Sequence, residues 1–128
     1  MPTKPARLPE ILRAAGVESQ LELLLLNRLE RAGLPLGEAG QQIIPGRKFS
    51  YDRIWREVDG RPVKVCVEVQ GATFVKGGHS TGLGIERDAE KACLAAVHGW
   101  RYLPVTKHMI LDGRAVRMIA AALGMEAT

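Results

Sequence analysis

The chain has 128 residues, the length of one domain, and its 46% hydrophobic and 25% charged composition supports a buried core and excludes a disordered polar tail. Eighteen Lys and Arg against fourteen Asp and Glu leave a net charge of +4, as compatible with a plain soluble surface as with a polyanionic partner. The longest aliphatic run, residues 23–26, falls far short of the roughly 20 residues of a membrane span, and no apolar leader follows residues 1–5.

Residues 1–17 hold three prolines and read as an arm with one helical turn around residues 10–15, and residues 18–128 form the folded domain. Ser19-Gln20-Leu21-Glu22 is a capping box that opens a helix. Leu21, Leu24, Leu25, Leu29 and Ala32 share its apolar face, and Gly33 and Pro35 stop it. A turn-rich stretch follows over residues 34–40, and a short strand at residues 42–44 precedes the Pro45-Gly46 break. Aromatic and branched residues predict a strand over residues 49–58. Residues 63–70 alternate, with Val63, Val65, Val67 and Val69 on one face and Lys64, Cys66, Glu68 and Gln70 on the other. Asp59-Gly60-Arg61 between the two strands is hairpin chemistry. Residues 71–84 contain five glycines and no hydrophobic period, so they form a loop. Ile85, Ala89, Ala92, Cys93, Ala96 and Val97 predict a helix over residues 85–97 whose small side chains lie close to a sheet. Residues 100–105 read as a strand in which Pro104 marks an edge or a bulge, and Val116, Ile119, Ala120 and Leu123 mark a last helix. The fold class is α/β, a mixed sheet with flanking helices.

Glu68 and Gln70, two apart on a strand, project from the same face, an oxygen-donor pair suited to a hard metal or to a solvated outer face. Asp52, in the preceding strand, meets Glu68 if the hairpin loop has three residues; a two-residue loop puts them on opposite faces. Opposed carboxylates repel unless a cation lies between them, so the three-residue loop predicts a metal. Glu22 falls inside the apolar sector of its helix, as the capping partner of Ser19 or aimed at a polar pocket beneath, and the two roles are compatible. His79, in the glycine-rich loop, is a general acid or base, a phosphate ligand or a surface residue. Cys66 and Cys93 build no disulfide framework, which suits a reducing cytoplasm, and no close CxxC or HxxxH pairing supports zinc.

The run Pro45-Gly46-Arg47-Lys48-Phe49-Ser50-Tyr51-Asp52, followed by Val67-Glu68-Val69-Gln70-Gly71, resembles the PD-(D/E)XK nuclease superfamily. Gly77-Gly78-His79-Ser80, Gly82-Leu83-Gly84, Asp88-Ala89-Glu90-Lys91 and Gly99-Trp100-Arg101 look like a small branch found among phage and prophage proteins. The resemblance covers about residues 19–124, and the predicted element order matches the superfamily's αβββαβ core with a C-terminal helix added. It implies metal-dependent hydrolysis of DNA phosphodiesters in a bacterial host cytoplasm. By the resemblance, Asp52 and Glu68, with the backbone carbonyl of Val69, bind Mg²⁺, for which Mn²⁺ can substitute, and Glu22 is the helix glutamate that many members hold near the metal. A cation held by carboxylates activates water and polarises a phosphoryl oxygen.

The third motif position is usually Lys; here it is Gln70, which can position a water or ligate through its carbonyl but supplies no charge. Lys91 is a candidate substitute, or else the i,i+3 salt-bridge partner of Asp88. Arg47, Lys48, Arg53, Lys76 and Arg101 are the candidate phosphate contacts, each equally readable as a solvated charge. The expected function is a Mg²⁺-dependent DNA endonuclease, structure-selective or of low sequence specificity, with a homodimer as one way to cut both strands. The competing reading is a catalytically inactive nuclease-fold module that binds DNA or a partner protein. Base stacking on RNA has only two Phe, two Trp and two Tyr to draw on.

Overall fold

Apolar residues at helical spacing carry the first element of the computed structural model, which describes residues 20–48, 50–70 and 82–128. Helix α1 (Gln20–Arg31) buries Leu25, Leu26 and Leu29, and Glu22 with them. It ends as the sequence predicts: Gly33 N–H bonds to the Glu30 carbonyl and Leu34 N–H to the Leu29 carbonyl, both at 3.0 Å. The expected capping residue Ser19 and the N-terminal arm lie outside the described residues.

Among the described residues four strands form one mixed sheet in chain order, β1 (Glu38–Gln41), β2 (Tyr51–Val58), β3 (Arg61–Val69) and β4 (Arg101–Val105). The first two pairings are antiparallel and β3–β4 is parallel. The first strand lies at residues 38–41, not at 42–44. Pairing of Gln41 with Tyr51 leaves the residues between them as a connection, and Arg47 N–H closes a turn onto the Ile44 carbonyl at 3.2 Å. Gly37 is required where β1 begins, since a Cβ there would meet the Ile54 carbonyl at 2.5 Å. Pro104 sits on β4, an edge strand, where its missing N–H costs least.

The β2–β3 hairpin turns on two residues, Asp59 (φ 53°) and Gly60 (φ 78°), the shorter of the two loops considered, because two successive left-handed residues match the strand twist. Val58 pairs with Arg61 and Glu57 with Pro62, but Trp55 pairs with Val65, so β3 carries one extra residue opposite Arg56. Lys64, at φ 49°, is left-handed inside that bulge.

Each face of the sheet has its own core. On one face Trp55, Val65 and Val67 pack with Leu25, Leu26 and Leu29 of α1, with Ile110 of α3 (Lys107–Leu111) and with Ile119 and Leu123 of α4 (Arg114–Leu123). Removing one such leucine side chain costs about 2–5 kcal/mol. The predicted inner face of α4, Val116, Ile119, Ala120 and Leu123, is buried. The short helix α3 escapes the periodicity reading because it spans little more than one turn, and the Thr106 side chain caps it by accepting Met109 N–H at 3.3 Å.

On the other face Tyr51, Ile54, Cys66 and Trp100 pack with Ala95 of α2 (Gly82–Val97). This helix starts at Gly82, earlier than predicted, and presents a different face. Ile85 and Val97 are exposed at 59% and 75%, and Ala89, Cys93 and Ala96 are exposed as well. Among the described side chains of this helix Lys91 and Ala95 are the buried ones instead, because the lysine stem can lie against the sheet once its ammonium has found partners. No helix among the described residues is long and apolar enough to cross a membrane.

Candidate active site

Register brings the two carboxylates together. Ile54 pairs with Cys66 and Arg53 with Val67, so Asp52 and Glu68 form the next opposed pair, on the Cys66 side of the sheet. The sequence reading tied that opposition to a three-residue loop. It is reached with a two-residue loop because the bulge in β3 supplies the missing residue. Asp52 is held in place by its Oδ2, which accepts the Val69 N–H at 2.7 Å.

Lys91 meets this pair from α2. Its Nζ donates to Glu68 Oε1 at 3.0 Å and to the Ser50 carbonyl at 2.7 Å, and lies 4.8 Å from the centroid of the Tyr51 ring. The Tyr51 hydroxyl donates in turn to the Lys91 carbonyl at 2.7 Å, so one residue ties the helix to the sheet from both its ends. The favoured sequence reading of Lys91, a surface pair with Asp88, gives way to the pair with Glu68, because the residue faces the sheet.

Gln70 lies just beyond β3. Its backbone N–H donates to the Val105 carbonyl at 2.7 Å, and its Nε2 is 3.5 Å from the Tyr102 hydroxyl. Tyr102 also meets the Tyr51 ring edge-on, with centroids 5.9 Å apart. The sequence reading passed over Tyr102. The signal that points to it is the parallel pairing of Cys66 with Tyr102, visible only once β4 is set beside β3.

Burial governs the electrostatics. Desolvation raises the Asp52 carboxyl above the usual range, opposed by the Val69 amide, Lys91 and Arg53. Desolvation and then the charge of Asp52 raise Glu68 in spite of Lys91. Glu22, 8% exposed on α1, is pushed up to about 7 by desolvation, by Asp52 and by Glu68, against the pull of Arg53. The charges that act on Glu22 are those of Asp52, Arg53 and Glu68, while Ser19, the capping partner considered for it, lies outside the described residues. Burial also holds the Cys66 thiol up at about 12, so it is no thiolate nucleophile at neutral pH.

The proposed phosphate contacts separate. Arg53 is corrected: it is 4% exposed, with Nε and Nη2 donating to the Leu36 carbonyl at 3.0 and 2.9 Å and Nη2 to the Gly37 carbonyl at 2.9 Å. It braces the chain ahead of β1 and offers no surface to DNA, and its buried Nη1 has no hydrogen-bond partner among the described residues. Arg101 is exposed but lies at the far end of β4 from Pro104, the residue beside Glu68. There it donates to the Ala122 carbonyl at 3.1 Å, and with Arg61 on the Leu123 carbonyl at 3.0 Å it closes the C-terminus of α4. Arg47 and Lys48 are exposed, Arg47 in an ion pair with Glu90 at 2.7 Å. Lys76 and His79 lie outside the described residues.

The donors at Asp52 and Glu68 are carboxyl oxygens, partly desolvated, and that chemistry fits a hard divalent cation, which favours their ionised form. Among the described residues no group of three or more His, Cys, Asp and Glu side chains is gathered to hold a metal ion. A cation between the two strands would thus draw its remaining ligands from backbone carbonyls, water or substrate. Comparison with protein-family models, with curated proteins and with solved structures finds no match to this chain.

Proposed function

We propose that the chain is a divalent-metal-dependent DNA endonuclease of the PD-(D/E)XK type in which Lys91, on α2, takes the place of the lysine that Gln70 lacks. The carrying observation is the β2–β3 register, which continued by one residue sets Asp52 opposite Glu68, together with the charge of Asp52 acting on Glu68 and the Lys91 ammonium 3.0 Å from Glu68. The element order α1-β1-β2-β3-α2-β4 supports the same reading, since it is the αβββαβ order of that superfamily.

On this reading Asp52, Glu68 and the Val69 carbonyl hold Mg²⁺ or Mn²⁺, which when bound supplies Lewis-acid activation of water and charge neutralisation at the phosphoryl oxygen. Lys91 contributes a positive charge beside Glu68 and can donate to a phosphate oxygen. Gln70 orients a water or the substrate through its amide. Glu22, with its carboxyl near neutrality, can take up or release a proton at working pH. Arg47 and Lys48 on the connection ahead of β2, together with Lys76 and His79, contact the DNA backbone. A chain this small has little surface for reading bases, so cleavage is structure-selective or of low specificity, and two copies serve to cut both strands. A phage or prophage enzyme acting in the bacterial cytoplasm is the setting this reading implies.

The test is cleavage of plasmid and branched DNA with Mg²⁺ or Mn²⁺, run beside Glu68→Ala and Lys91→Ala. Metal-dependent cutting lost in Glu68→Ala supports the enzyme. Cutting that survives the substitution sinks the assigned site. No cutting with any metal, alongside tight DNA binding in EDTA, selects the inactive binding module instead.

A further inference from the structure

The C-terminal half of α1 meets α3 and α4 around a cavity of about 510 Å³ whose charged side chains are all arginine, Arg28, Arg31 and Arg117. That volume lies within the range of small-molecule sites. Ile110 and Val116 give it an apolar floor. Arg28 is oriented by its Nη1, which lies 3.4 Å from both the Ile110 and the Leu111 carbonyls. Arg31 and Arg117 are exposed, and neither forms an ion pair among the described residues. The nearby carboxylate of Asp112 is bound to Arg114 at 2.9 Å and also feels the charge of Arg117, without closing an ion pair on it.

Three guanidinium groups around one cavity repel each other unless an anion joins them, and their planar forks match the tetrahedral oxygens of a phosphate two at a time. We propose that this cavity is a phosphate-binding pocket, formed by Arg28, Arg31 and Arg117. Arg28 is the fixed member, and the two exposed arginines close on the ligand. The pocket stands apart from Glu22, the residue that α1 contributes to the candidate site: Arg31 follows it by nine helical residues, roughly 13 Å along α1. It does not rest on the nuclease reading. The phosphate can be a free or small-molecule phosphate or a phosphodiester of DNA, and both present the same oxygens to the arginines.

The experiment is a ¹H–¹⁵N titration of the full chain in EDTA, with inorganic phosphate in one arm and a short DNA duplex in the other, each matched in ionic strength with chloride. Saturable phosphate shifts at the amides of Arg28, Arg31, Gly113 and Arg117 are the expected result. Arg31→Ala/Arg117→Ala should weaken that binding by about tenfold or more, with an unchanged fold in the same spectra. Phosphate and duplex competing for these amides assigns the pocket to backbone phosphates, whereas phosphate binding that the duplex does not disturb assigns it to a small phosphorylated ligand. Shifts no larger than those from chloride, or shifts that persist in the double variant, overturn the proposal. Glu68→Ala leaves this binding intact, so loss of the nuclease reading and loss of the pocket are read separately.

Discussion

Lys91 and Glu68, 23 positions apart on a helix and a strand, join their charges at 3.0 Å on one face of the sheet. The lysine is nearly enclosed, so the contact is both the bond that seats α2 and the charge that balances the carboxylates. Breaking a buried pair from one side leaves the other charge without compensation. Lys91→Met is therefore expected to destabilise by about 3 kcal/mol, and the double variant Lys91→Met/Glu68→Gln to recover much of that loss. Urea unfolding of the four proteins in the cycle measures it; equal instability of the single and double variants would show that the pair is not what Lys91 contributes.

How legible this cluster was depends on what kind of signal carried each part. Asp52 and Glu68 were readable because strand alternation and hairpin arithmetic act on neighbouring residues. The loop length was left open between two and three residues, and the tie between loop length and shared face failed, because the bulge at Lys64 restores the register that the shorter turn removes. The inner face of α2 was misread for a physical reason: a hydrophobic pattern counts lysine as surface, and only the tertiary partner, Glu68, makes Lys91 an inside residue. Arg53 failed the same way, since carbonyl acceptors at Leu36 and Gly37 leave no trace in side-chain chemistry. Leu25 and Leu29 of α1 and the inner face of α4 were legible because packing there follows polarity, whereas Leu26, off the predicted face of α1, is fully buried and Leu21 and Leu24 only partly so.

Glu22 makes the stability pH-dependent. Burial lifts its carboxyl from 4.5 to about 7, so between those values the folded chain holds a proton that the unfolded chain has lost. The contribution of this group to stability therefore falls as pH rises through that window. Glu22→Gln removes the ionisation, and at pH 8 it should stabilise by at most about 3 kcal/mol, with little effect at pH 4. Chemical denaturation at both pH values tests this, and a variant no more stable than the parent at pH 8 would contradict it.

Arg53 should behave as a brace. Arg53→Ala removes its bonds to the Leu36 and Gly37 carbonyls from a buried position, and a loss of about 3 kcal/mol is expected. If the chain binds DNA, the salt dependence of affinity should stay unchanged in a folded Arg53→Lys protein. Arg47→Ala, by contrast, should lower the salt slope by about one. Binding isotherms across a salt series separate the two, and a slope change at position 53 would restore that residue to the interface.

The bulge predicts an inverted preference. Lys64 holds a left-handed backbone, and its ammonium donates to the His98 carbonyl at 2.6 Å and lies 5.4 Å from the centroid of Trp100. Both Ala and Gly forfeit these contacts, but only Gly is free of the strain that a Cβ suffers at positive φ. Lys64→Gly should therefore be more stable than Lys64→Ala by about 0.5–1 kcal/mol, the reverse of the order at an ordinary strand position. Thermal unfolding of the two variants decides it.

A divalent cation between Asp52 and Glu68 should register as stability before any cleavage is measured. Desolvation makes both carboxylates costly to ionise in the folded chain, and the charge of Asp52 adds to that cost at Glu68; a cation relieves these effects while having no such site on the unfolded chain. For a site of millimolar affinity, ~10 mM Mg²⁺ adds about 1.4 kcal/mol, a rise of a few degrees in Tm for a domain of this size. Asp52→Asn should abolish the rise, because it removes one of the two charged ligands and keeps the shape. Lys91→Met should leave the rise intact or enlarge it, since the ammonium is then no longer competing with the cation for Glu68. A Mg²⁺ effect of the same size in the parent and in Asp52→Asn would move the cation elsewhere on the chain and take the nuclease reading's metal site with it.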